Sequence, residues 1–361
     1  MYFGLSEEQS FFKDNVKKYL ADSAPLDVIR HIANGDEGNS AKEVHQGLLN
    51  LGVNSLLIPE EFGGLELDLL FAVAVSESLG NGVAPVPFTA SYVMAPTAIL
   101  AAGSQLQKEE YLTKIASNEV LFGVGFSDFV AKRNNTGLSY NGGVLNGSSM
   151  FVLDAQIASH LLLCDGTGKI FVVDKNTSGL EVITLTTIDK TRHYAEIICS
   201  NVEAELLERS KESKDPIIKA IDAGRIILAA DTLGAAQKMI DQAVDYSKER
   251  KQFGRTIGSF QAVKHMCAEM AADLEPCYAL VWNAAHCFDH SETEARLMAC
   301  HAKAHLSEVG KGIAKKATEV HGGMGFTDLL GLHYWFKRIG VNRQLLGSPE
   351  LVREEAMLSQ I

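Results

Sequence analysis

Arg250 stands three residues ahead of the pair Phe253-Gly254, where a long helical pattern runs out. A permanent cation and an aromatic face held together at a helix end suit a pyrophosphate and the adenosine attached to it. Ile257, Phe260 and Gln261 follow directly. Roughly seventy residues later, Glu319-Val320-His321-Gly322-Gly323-Met324-Gly325-Phe326 ends a second helical stretch. Gly322 and Gly323 would let the backbone approach the same phosphates closely. Glu319 is the discordant member, because a carboxylate facing pyrophosphate repels it unless protonated or turned away. Other chemistry-bearing groups are weaker. His301 and His305 lie one helical turn apart, as metal ligands can, but no third ligand accompanies them and no metal site is assigned. Lys311, Lys315 and Lys316 read as a solvated face.

Three composition regimes position these residues. Residues 1–117 carry helical periodicity, with Leu5, Phe11, Phe12, Val16 and Leu20 on one face and a breaker-rich loop at Ile58-Pro59-Glu60-Glu61-Phe62-Gly63-Gly64. Further helices are expected over 71–79, 90–102 and 105–115. Residues 118–208 turn into short apolar or alternating runs (120–125, 142–148, 161–164, 170–173, 180–183) separated by Asn/Gly/Asp turns, which predicts a small antiparallel β domain. A charged linker is expected over 211–216. Residues 209–361 are helical again, with an apolar stripe from Ile217 to Val244 and with Gly224 and Gly234 marking close helix approach. Pro276 is expected to end or kink the second long helix. The expected class is α+β: an all-α N-terminal domain, a central antiparallel β domain and a C-terminal four-helix bundle.

The chain has 361 residues, 46% of them hydrophobic and 22% charged, with net charge -12 and mean hydropathy +0.03. The acidic balance argues against a nucleic-acid partner, and no apolar run reaches the length of a membrane span. Residues 1–19 read as an amphipathic helix rather than a secretory signal. Six scattered cysteines without a CxxC pair suggest a reduced, cytoplasmic setting.

Along its whole length the sequence resembles the acyl-CoA dehydrogenase family. The resemblance is carried by residues 249–261 and 319–326, by the loop 58–64, by Thr187-Ile188-Asp189-Lys190-Thr191-Arg192, which is similar to the close of the family's β domain, and by Gly224-Arg225 through Gly234. It implies an FAD cofactor held by Arg250, Phe253, Gln261, Glu319, Gly322, Gly323 and Ser348, with Arg250, Phe253 and Gln261 reaching the flavin of a neighbouring subunit. The family usually has Gln at the position of Glu319. Its Thr-Glu-Pro lead to the flavin-packing stretch is also missing here, where Gly123 to Val130 keeps only Ser127-Asp128.

Desaturating an acyl-CoA needs a carboxylate to take the α-proton while a β-hydride leaves. The family keeps that base in one of two places. One is a Tyr-Glu-Gly-Thr stretch, matched here by Leu345-Leu346-Gly347-Ser348; the other precedes the Arg of the first C-terminal helix, where this chain has Gly224. Neither accepts a proton, so no catalytic residue is assigned. Glu350, Glu354 and Glu355 follow, and are read as a solvated helix face. The reading favoured by the resemblance is a subunit of a heteromeric acyl-CoA dehydrogenase, a two-plus-two heterotetramer of the kind acting on steroid side-chain CoA thioesters. Its second subunit would supply the base, and an electron-transfer flavoprotein would accept the electrons. The alternatives are an active homo-oligomer (dehydrogenase or oxidase) with a displaced base, and a flavin-free scaffold.

Overall fold

In the computed structural model, residues 4–35, 39–131 and 136–360 are described. The N-terminal helices are α1 (Glu7–Ser23), α2 (Leu26–Ala33), α3 (Asn39–Asn50), α4 (Leu69–Asn81), α5 (Ala95–Ala102) and α6 (Gln105–Ala116). Their starts are encoded locally. Ser6 and Gln9 form a capping box on α1, as Ser104 and Gln107 do on α6, and the Asp68 carboxylate caps α4. Ahead of α5 the chain winds as a wider π-helix over Phe88–Met94, wholly buried.

The sheet comprises β1 (Phe122–Gly125), then, after the single turn of α7 (Ser127–Val130), β2 (Gly137–Asn141), β3 (Val144–Leu153), β4 (His160–Cys164), β5 (Ile170–Asp174), β6 (Leu180–Thr184), β7 (Tyr194–Glu203) and β8 (Glu205–Leu206). The order is β6-β7-β3-β1-β4-β5-β8, with β2 on β3. The pairing is antiparallel except that β1 and β4 run parallel, Phe122 opposite His160 and Gly125 opposite Leu163, so the sheet is mixed. Thr187 to Arg192 does not close it; the ten-residue strand β7 follows and pairs with both β3 and β6.

Helix α8 spans Asp215–Glu249, so most of the expected charged linker at 211–216 is already a turn and a helix start, with Pro216 at its first positions. The chain then makes a small hairpin, β9 (Lys251–Gln252) and β10 (Arg255–Thr256), before α9 (Gln261–His290), α10 (Glu292–His321), α11 (Leu332–Gln344) and α12 (Pro349–Leu358). Pro276 lies inside α9, which continues past it. Helices α8 to α11 pack as a bundle and α12 lies on α10.

Two contacts fix how these layers meet. On the α4–α8 crossing, a Cβ at Gly234 would lie 1.8 Å from the Glu77 carbonyl oxygen, and one at Gly80 would lie 1.9 Å from the Asp231 carbonyl oxygen. Only two glycines let these backbones touch. A step along α8, the buried Asp231 carboxylate accepts from Arg338 (2.7–3.1 Å) and Asn342 (2.7 Å) of α11 and pairs with Arg192 (2.8 Å) in the bend that leads into β7. Arg338 also donates to the Ala84 carbonyl at 2.9 Å. One carboxylate thereby pins the N-terminal helices, the sheet and the bundle to each other, with its hydrogen bonds met as a buried charge requires.

Candidate functional site

The nucleotide-type residues gather at one end of the bundle. The β9–β10 hairpin turns at Phe253 and Gly254, with φ of +53° and +77°, the geometry of a type I′ turn. That turn holds the Phe253 side chain 91% exposed, its ring edge against Phe260 at 6.1 Å. Arg250 caps α8, Gln261 opens α9, and both side chains are exposed. At the end of α10, Gly322 adopts φ +57°, and a Cβ at Gly322 or Gly323 would meet no atom within 4 Å. The Tyr246 and His321 rings stack at 4.6 Å, which fastens the last turn of α8 to the last turn of α10. Arg250, Phe253, Gln261, Glu319, Gly322 and Gly323 therefore share one end of the molecule. All are exposed, so a cation, an aromatic ring and a pair of glycines without side chains face away from this chain's own core, while the Gly322 N–H donates to the Glu319 carbonyl and closes the last turn of α10. That donor set fits the phosphates and adenosine of a dinucleotide held from outside. Glu319 is exposed alongside them.

Ser348 is elsewhere. Its hydroxyl caps α12, two residues after Leu346, whose carbonyl accepts from Arg225 Nε at 2.8 Å. Arg225 and Arg250 are 25 residues apart on α8, about 37 Å along its axis. The structure does not bring Ser348 together with the Arg250 cluster.

The two base positions meet in space. An ideal Cβ on Gly224 would lie 2.6 Å from Leu346 Cδ1 and 2.8 Å from Met94 Sδ. Leu346 and Met94 are buried, and Leu346 holds a left-handed φ of +54°, unusual for a branched residue. Around them a charge network fixes the backbone. Arg225, with no exposed surface, donates to both Glu355 oxygens (2.7 and 3.1 Å); Arg296 donates to Glu355 and to Asp222, at 2.5 Å each. Asp222 also lies 3.6 Å from Arg225. Burial raises the Asp222 carboxyl to about 6, against the pull of Arg296 and Arg225. Glu355 is thus a committed ion-pair partner, which corrects its reading as solvated. Glu354 is exposed, and Glu350 pairs at the surface with Arg343. The sequence hint that was missed is the i, i+3 pair Asp222 and Arg225 within an otherwise apolar stripe.

Lys303 of α10 was also missed. Its ammonium is buried and donates to the Asn342 and Arg343 carbonyls at the end of α11 (2.6 and 3.1 Å). Burial, then the nearby Arg225 and Arg343 cations, lowers it to about 7. Asp128, in the segment similar to the family's flavin-packing stretch, accepts from the Met150 N–H at 3.0 Å and from the Thr136 hydroxyl at 3.1 Å, so it braces the sheet. His301 and His305 are exposed on α10, and no group of three potential ligands occurs among the described residues. Lys311 and Lys315 are exposed, whereas Lys316 bridges to Glu269 and Asp273 of α9. No helix among the described residues is long and apolar enough to cross a membrane.

Two family models match. Residues 6–119 fit the acyl-CoA dehydrogenase N-terminal domain and residues 215–357 the acyl-CoA dehydrogenase C-terminal domain. The chain is 28% identical to a probable acyl-CoA dehydrogenase of Bacillus subtilis, over 96% of this chain and 93% of that protein. It is 30% identical to a 3-(aryl)acrylate reductase of Clostridium sporogenes, over 79% of this chain and 81% of that protein. Among solved structures, the ChsE4–ChsE5 complex from Mycobacterium tuberculosis superposes with a TM-score of 0.90 at 21% identity, covering 100% of this chain and 99% of that one.

Proposed function

The chain belongs to the acyl-CoA dehydrogenase family of FAD-dependent oxidoreductases acting on acyl-CoA, and from that premise we propose that it is the subunit of a heteromeric enzyme that grips the nucleotide end of a flavin and leaves proton abstraction to a partner chain. One observation carries the reading: both base positions converge on a single spot, and Leu346 packed on Gly224 puts an aliphatic group there. The carboxylates of the surrounding network are committed, Glu355 to the guanidiniums of Arg225 and Arg296 and Asp222 to that of Arg296. A base must have a free lone pair within hydrogen-bond reach of the α-proton, and carboxylates held in ion pairs with Arg225 and Arg296 do not offer one.

What this chain supplies is binding and orientation. Arg250 would neutralise pyrophosphate charge, the bare Cα atoms of Gly322 and Gly323 would allow close phosphate approach, and Phe253 would cover an apolar face of the adenosine. Bound FAD supplies the hydride acceptor for desaturation. Phe253 at 91% exposure is costly in the free chain and supports its docking into another subunit. The chain's similarity in fold to a two-component complex supports a differently specialised partner in a heterotetramer. An electron-transfer flavoprotein is the proposed acceptor, a steroid side-chain CoA thioester the proposed substrate, and the six unpaired cysteines support a cytoplasmic setting.

The test is to purify the chain alone and co-expressed with base-bearing acyl-CoA dehydrogenase chains of the same genome, count flavin per chain from the absorbance spectrum, and add a panel of straight-chain and steroid side-chain acyl-CoAs under anaerobic conditions. Flavin reduction by the complex and none by the lone chain is expected. Full flavin occupancy and reduction by the lone chain would favour the active homo-oligomer, and a flavin-free complex would favour the scaffold.

A further inference from the structure

We infer that Glu319 reads the adenosine sugar of the flavin by accepting from its ribose hydroxyls, and thereby turns away adenine nucleotides phosphorylated on that sugar. The nucleotide of CoA, which carries a ribose 3′-phosphate, is the one that every acyl-CoA brings to this protein. The inference rests on the reading of the Arg250 end as a dinucleotide grip. The charges at that end are segregated. On the hairpin side Lys248, Arg250, Lys251 and Arg255 are exposed, against one acid, Glu249. On the α10 side, residues 317–331 contain no Lys or Arg, and their acids are Glu319 and Asp328. Asp328 is engaged by His333 at 2.7 Å and by Arg30 at 3.8 Å. Glu319 is exposed, and its side chain makes no hydrogen bond or ion pair among the described residues.

The fold itself gains nothing from that placement. Glu319 lies in the last turn of α10, where the helix already presents its negative end and a further carboxylate is unfavourable. The Gly322 N–H is taken by the Glu319 carbonyl. The α10 side therefore offers acceptors and a negative field, and the cations a phosphate needs come from the hairpin. The two parts of the nucleotide match that division. Its pyrophosphate is anionic, whereas its adenosine is neutral and carries hydroxyl donors on the ribose. In dinucleotide sites a carboxylate selects the free ribose hydroxyl, and a cation selects the phosphorylated one. Magnitudes favour the contact over the repulsion that made Glu319 discordant. A hydrogen bond to a carboxylate is worth roughly tenfold or more in affinity. Repulsion by a pyrophosphate about 10 Å away, screened by water and salt, is worth about threefold or less.

The experiment uses the co-purified complex stripped of flavin. FAD rebinding is followed by its fluorescence change and competed by ADP or by ADP carrying a 3′-phosphate, so that only nucleotides entering the flavin site are read. ADP should displace FAD at a concentration about tenfold or more below that of its 3′-phosphate. Glu319→Gln keeps the shape and removes the charge. It should narrow the preference to about threefold or less, through tighter binding of the 3′-phosphate rather than loss of ADP. Glu319→Ala should weaken FAD itself by about tenfold, because the hydroxyl contact is gone. A preference left unchanged by Glu319→Gln, tighter FAD binding by Glu319→Ala, or an equal loss of both competitors overturns the inference while leaving the nucleotide grip standing. A stripped complex that takes up neither FAD nor ADP removes the grip, and the inference with it.

Discussion

Removing the Glu355 carboxylate by Glu355→Ala perturbs the centre of the network that holds Leu346. The substitution deletes two hydrogen bonds to Arg225 and one to Arg296, and leaves the fully buried Arg225 with the Leu346 carbonyl, Cys300 Sγ at 3.4 Å and Asp222 at 3.6 Å. Stripping one partner from a buried pair costs about 3–5 kcal/mol. The lower end applies, because Asp222 remains and the Glu355 side chain is 20% exposed. Unfolding entropy scales at roughly 2.1 cal/mol/K per residue, so for a chain of this length unfolding as one unit about 3 kcal/mol corresponds to a fall of about 4 °C in Tm. Thermal melts at pH 7 measure it, with Glu354→Ala as the exposed neighbour expected to shift stability by less than about 0.5 kcal/mol. The Glu355 deficit should persist in high salt, because a buried pair is poorly screened. Equal melts for the two variants would refute the clamp.

Further outcomes follow from particular contacts. Phe253→Ala and Arg250→Gln should leave the melting of the isolated chain unchanged, since both side chains are exposed, while lowering flavin retention in the complex by about tenfold or more on dialysis, the worth of about 1.4 kcal/mol; unchanged retention counts against the nucleotide-gripping role. Lys303 sits below its ordinary value, so the unfolded chain binds more protons from about pH 7 upward and stability should rise there with pH, by at most about 1.4 kcal/mol per unit. Lys303→Met should abolish that rise in urea titrations between pH 7 and 9, and an unaltered slope would show that another group produces it. Gly234→Ala must push α8 away from the Glu77 carbonyl and should destabilise by more than about 3 kcal/mol. Gly312→Ala, with no atom within 4 Å of its Cβ, should be neutral or stabilising by up to about 1 kcal/mol in the isolated chain.

Much of the architecture was legible because it is written in local signals. The breaker loop at residues 58–64, the stripe from Ile217 to Val244 and the glycines at 224 and 234 each act within one element or one crossing. What was not legible depends on long-range pairing. Strand β7 was missed because Tyr194–Glu203 follows an Asp/Lys/Arg-rich bend, and its partners lie in β3 and β6. The parallel β1–β4 pair likewise leaves no mark on either segment. The types of Arg250, Phe253 and Gly322-Gly323 suggested one end of a dinucleotide site, and the hairpin and the Tyr246–His321 stack show how these residues come to share one end of the bundle. Glu355 read as solvated because its partners Arg225 and Arg296 lie about 130 and 59 residues away. That Leu346 and Gly224 are one place could only come from the fold.

The absence of a base on this chain is tested most directly by solvent deuterium. The lone chain, supplied with FAD and an acyl-CoA in D2O, should place no deuterium at the α-carbon by mass spectrometry, while the complex with its partner should. Deuterium incorporated at that carbon by the lone chain would mean that it carries a working base, and the division of roles would be wrong.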